Sequence, residues 1–141
     1  MEYFTRKAYE ASKTPKGQKE WQLREKHYAV HLRSINPQLR DGWRQLATES
    51  FEDQELRVVE RPAYDQVIVE IEKNVFIFRG VKQIRFPEPS AKLASWIRHE
   101  VHVVDDGTLE LKVLLSEGEI RIAAQEAKVY RAEVSRYRAA V

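Results

Sequence analysis

The four histidines fall in two close pairs, His27/His31 and His99/His102. The first pair is spaced i, i+4, which on a helix puts both imidazoles on one face. That geometry can hold zinc, nickel or copper, so His27 and His31 are the candidate metal ligands. A zincin motif also needs Glu directly after the first His, where this chain has Tyr28, so the hydrolytic zinc signature is missing. Glu20 and Arg24 share the stripe and suggest a solvated polar face. In the second pair, the stretch His99-Glu100-Val101-His102 depends on backbone conformation. As a strand it alternates, so His99 joins Ile97, Val101 and Val103 on one face, where a partly buried imidazole needs a hydrogen-bond partner. Trp96, Arg98, Glu100 and His102 share the other face. Glu100 and His102 could form an acid–base pair there, but a cross-strand polar ladder is the favoured reading, because such pairs stabilise sheets.

Other constellations are plainer. Glu70 and Glu72 are neighbours on one strand face, whereas glycosidase carboxylates oppose each other across a cleft. With Trp96, Arg98, Glu100 and His102 they form the expected exposed binding patch. Lys19, Lys26 and Arg33 recur every seven residues and line one side of a helix, where phosphates could be contacted. Glu20 and Glu25 dilute that charge, and no base-stacking aromatic pattern accompanies it. No G-x-S-x-G elbow, P-loop or G-x-G-x-x-G occurs, so no catalytic residue and no cofactor are assigned. Cysteine is absent, which excludes disulfides, thiol chemistry and Cys-ligated metals.

These residues must be positioned by a chain of 141 residues, the size of one domain. Hydrophobic residues at 43% and charged residues at 33% describe a globular chain with a real core. Residues 1–50 carry ten Lys/Arg against six Asp/Glu, in a chain of net charge +2. A nucleic-acid-binding domain concentrates more positive charge than this. No apolar run reaches the roughly eighteen residues of a membrane span, and M-E-Y-F-T-R-K-A has no apolar targeting segment, so the cytosol is the expected compartment.

Thr5 is placed to cap a short helix through Ser12, which Pro15 and Gly17 then break. Trp21, Tyr28, Leu32 and Ile35 give residues 18–35 one helical stripe. Pro37 opens a third helix through Glu49, with Gly42 an awkward residue inside it. From Leu56 the period changes to two. Strands are expected at 56–60 (stopped by Pro62), 67–72, 75–79 and 81–86 (with Gly80 at a bulge), 96–104, 109–115 and 120–124. Asp106-Gly107 and Glu117-Gly118 supply hairpin turns. Residues 125–141 are ambiguous. Tyr130, Val134 and Tyr137 have helical spacing, and a short strand at 128–131 competes. Helices first and antiparallel strands afterwards predict one α+β domain, with helices packed on a curved sheet of about six strands.

The opening M-E-Y-F-T-R-K-A-Y-E resembles that of a small bacterial family called domain of unknown function 4085. So do V-x-R-P at 59–62, F-R-G-V at 78–81, W-I-R-H-E-V-H at 96–102, D-D-G-T-L-E-L-K-V-L-L at 105–115 and G-E-I at 118–120. The resemblance supports the fold and implies no activity. The expected function is therefore a non-enzymatic protein-interaction module of immunity or regulatory type. Metal binding or metal-dependent catalysis through His27 and His31, and weak nucleic-acid binding through Lys19, Lys26 and Arg33, are the alternatives.

Overall fold

A computed structural model describes residues 1–87, 94–105 and 107–132. Three helices precede six strands: α1 (Arg6–Ala11), α2 (Pro15–Ile35), α3 (Gly42–Thr48), β1 (Leu56–Ala63), β2 (Gln66–Ile71), β3 (Asn74–Arg85), β4 (Trp96–Asp105), β5 (Thr108–Leu115) and β6 (Glu119–Arg131). The α+β class follows directly.

The long helix ends at Ile35 as expected, but its start and that of the third helix differ from expectation for local reasons. The Thr14 hydroxyl accepts from the Gly17 N–H and Pro15 occupies the first helical turn. There its missing N–H costs nothing, so the proline starts α2 instead of breaking the chain. Residues 36–38 make only a 3-10 turn, and α3 begins at Gly42. The glycine is awkward in a helix interior but suits this first position, because α3 lies directly on β6. A Cβ on Gly42 would come within 2.3 Å of the Ala127 carbonyl oxygen. Gly42→Ala is therefore expected to lower stability by about 1–3 kcal/mol through overpacking, measured by urea unfolding; an unchanged midpoint would mean that α3 is free to lift away.

The strands form one antiparallel sheet in the order β1-β2-β3-β6-β5-β4. β1 continues through Pro62 because it is an edge strand, where a proline need not donate. β3 runs unbroken across Gly80, whose φ is +64°, with a register slip between Val81 and Gln83. β6 extends to Arg131 and places Tyr130 opposite Val75. This decides the ambiguity at 125–131 for the strand, which begins well before the expected 128: pairing with β3 outweighs weak helix propensity. Val134 and Tyr137 lie outside the described residues, as do Pro89 and Asp106. At one end the outer strands approach each other, since Glu55 bridges Ser95 and the Leu56 N–H donates to the Ala94 carbonyl. One sheet face buries Val67, Val69, Ile71, Phe76, Phe78, Leu111, Val113 and Ile122 against Trp43, Leu46 and Phe51. Among the described residues, no helix is long and apolar enough to cross a membrane.

Candidate functional site

β4 carries most of the polar chemistry, and a bulge at its start rearranges the expected faces. Trp96 pairs with Leu115 and Arg98 with Leu114, so two steps on β4 match one on β5. A bulge of this kind reverses the alternation locally. Trp96 therefore turns to the face of His99, only 1% exposed, and its Nε1–H donates to His99 Nδ1 at 3.0 Å. The expected grouping of Trp96 with Arg98, Glu100 and His102 is corrected on this point. The other His99 nitrogen, Nε2, meets the Leu46 carbonyl of α3. An acceptor Nδ1 and a donor Nε2–H define one neutral tautomer. Burial resists the charged form and brings the His99 pKa down to about 4, despite the bond to Leu46.

Glu100 and His102 do share a face and are bonded, His102 Nε2 to Glu100 Oε1 at 2.8 Å. They are not a surface ladder. Glu100 is 0% exposed and His102 7%, because residues 1–4 cross over them. Glu100 Oε1 also accepts from the Glu2 N–H at 3.0 Å, and Oε2 from those of Tyr3 at 2.9 Å and Phe4 at 2.8 Å. Four donors thus converge on one carboxylate. Burial alone would raise its pKa, but the His102 bond and the three backbone N–H groups outweigh that and hold it down at about 2. The expected exposure of Glu100 and His102 is overturned: they form a latch for the N-terminal strap. Arg24 Nη1 donates to the Tyr3 carbonyl at 3.0 Å, and Phe4 is fully buried.

The histidine pairs meet through one member each, His31 and His102, whose ring centroids are 4.8 Å apart. Tyr3 stacks on His102. β4 is an edge strand, and α2 caps its free backbone at Val101. The Val101 N–H donates to the Tyr28 hydroxyl at 2.8 Å, and His31 Nε2 donates to the Val101 carbonyl at 2.9 Å. Such coverage prevents open-edge pairing. His27 stays exposed on the outer side of α2, so the i, i+4 pair is split in role. Ligation through His31 Nε2 would break its bond to β4. Among the described residues, no three His, Asp or Glu side chains are grouped to hold a metal ion.

Glu70 sits on β2 and Glu72 directly follows its last residue, and β2 is separated in the sheet from β4 by β3, β6 and β5. The expected six-residue patch is therefore not one surface. Glu72 Oε1 instead accepts from the Glu55 N–H at 2.9 Å, near the bridged sheet edges. Lys19, Lys26 and Arg33 are all exposed, and the exposed Leu23 and Val30 also lie on α2.

Residues missed by sequence reasoning, Glu49, Phe51 and Glu52 among them, join Trp96 and Arg98 of the expected patch in lining a cleft of about 330 Å³ between α2, residues 47–52 and the start of β4. Its apolar wall includes Ala29, Leu32 and Phe51, and its rim carries Glu25, Glu49, Glu52 and Arg98. The Arg98 guanidinium lies 3.7 Å from Glu25 and 3.4 Å from Glu52, and 4.4 Å from the Phe4 ring centroid. F-E-D-Q-E-L at 51–56 held part of the signal, acidic residues beside an aromatic just before the first strand. Comparison with protein-family models and with curated proteins finds no match to this chain.

Proposed function

We propose that the protein is a non-enzymatic, cytosolic interaction module of immunity or regulatory type, and that the cleft between α2 and β4 is where it meets a protein partner. The observation carrying this reading is the fate of Glu100. In the bonded Glu100–His102 pair, the carboxylate accepts from three backbone N–H groups and from the imidazole itself, and it is closed to solvent. A general base needs a reachable lone pair, and this carboxylate offers none. The cleft is open, rigidly backed by a strand and a long helix, and of a size that binding sites use.

Affinity purification from the native host, with the wild type beside Glu52→Lys, tests the proposal. A partner retained by the wild type and lost by the variant is expected. Equal recovery by both, or repeated failure to recover any protein, would count against it.

A further inference from the structure

The interaction-module reading leaves the partner's chemistry open, and the cleft itself narrows it. Three carboxylates (Glu25, Glu49 and Glu52) and one guanidinium (Arg98) line it, a local balance of −2 in a chain of formal charge +2. Behind this rim stand Ala29, Leu32 and Phe51, which favour an apolar stem. The cleft already stabilises one cation of this kind from within the chain: Arg98 is flanked by Glu25 and Glu52, with the Phe4 ring against its guanidinium. Glu49 lines the same cleft and makes no ion pair among the described residues.

We propose that the cleft receives a lysine or arginine side chain projecting from the partner, its stem against Leu32 and Phe51 and its charge beside Glu49. The inference rests on the reading of the protein as an interaction module. Charge complementarity selects the occupant, and the apolar wall separates it from a simple hydrated cation. An acidic side chain would meet Arg98 only by displacing Glu25 or Glu52, and would then face the remaining carboxylates.

The test titrates the full chain with four capped tripeptides, acetyl-Gly-X-Gly-amide, in which X is lysine, arginine, norleucine or 2-aminoadipate. Norleucine keeps the stem without the charge, and aminoadipate reverses the charge. Binding is followed by the NMR shift of the Trp96 indole N–H and the Arg98 side-chain N–H. The lysine and arginine peptides are expected to bind in the millimolar range, with norleucine about three- to tenfold weaker and aminoadipate weakest. Glu49→Gln, an exposed position, should bring lysine down to the norleucine level without changing the thermal midpoint. Equal binding of lysine and norleucine, tighter binding of aminoadipate, shifts confined to other surfaces, or no response at all would each overturn the proposal. Its failure is separable from that of the broader reading. A partner captured through the cleft, with no preference among the peptides, removes only the cation. Lysine binding with no protein partner removes the module.

Discussion

Glu100→Ala is expected to lower the unfolding free energy by about 3–5 kcal/mol, the range seen when one member of a buried charged network is removed. The size follows from what the carboxylate leaves behind. Three backbone N–H groups, on Glu2, Tyr3 and Phe4, and His102 Nε2 all lose their acceptor. Water cannot replace it without opening the strap. The loss should therefore be uneven: amide exchange at Tyr3 and Phe4 should accelerate more than exchange at Val113 in the central core. Glu100→Gln retains one carbonyl oxygen but points an amide donor at groups that are themselves donors, so it should fall between alanine and wild type. Urea unfolding with residue-resolved hydrogen exchange gives both readouts. A change below about 1 kcal/mol, with Tyr3 and Phe4 still protected, would show that the strap is held by packing alone.

The latch also has a pH window. Its carboxyl is held down at about 2 in the folded protein, below its ordinary 4.5. A depressed carboxyl contributes stability that is fully present above the unfolded value and is lost as pH falls through the folded one. The latch therefore holds at neutral pH and weakens between about 4.5 and 2. The strap is physically joined to the cleft as well, because buried Phe4 is the ring beneath Arg98. Releasing residues 2–4 removes the support of that guanidinium. Structure and proposed binding are thus coupled through one residue, which explains how a buried acid can matter to a surface it never reaches.

Much of the fold was legible because local rules agreed with global packing. The alternation Val67-Ile68-Val69-Glu70-Ile71 is a half-buried strand, and that is what β2 is. Where the reading failed, a nonlocal contact had decided the matter. Period alone predicts that Trp96 follows Arg98, but one bulge against β5 reverses it. Residues 125–131 have helical composition, yet the free edge of β3 recruits them. Glu100 and His102 were placed on the correct common face, but their burial depends on residues 1–4, about 97 positions away. No spacing rule connects a strand carboxylate to a run of backbone N–H groups at such a distance, because backbone donors carry no side-chain signature. The cleft was hidden for the same reason: its walls come from α2, residues 47–52 and β4, and only the fold assembles them.

A second acid-sensitive limb should arise from His99, at higher pH than the latch. Its pKa falls from 6.5 to about 4 on folding, chiefly because burial disfavours the charged ring. The folded state then binds this proton less readily than the unfolded chain does. Stability from this group is complete above pH 6.5 and declines as pH drops toward 4, at about 1.4 kcal/mol per pH unit and roughly 3 kcal/mol over the interval. The hydrogen bonds give the reason in atoms. Nδ1 accepts from the Trp96 indole, so protonating it sets two donors face to face beside the Leu46 contact that ties β4 to α3. His99→Gln can keep an acceptor toward Trp96 and a donor toward Leu46 without titrating. The variant should be less stable at pH 7, yet its stability should be nearly flat between pH 6.5 and 4.5, where the wild type slopes. Urea unfolding of both proteins across pH 4–8 measures the difference directly. Parallel curves would mean that His99 takes its proton as readily in the folded protein as in the unfolded chain, and that the Trp96 bond does not hold Nδ1 as an acceptor.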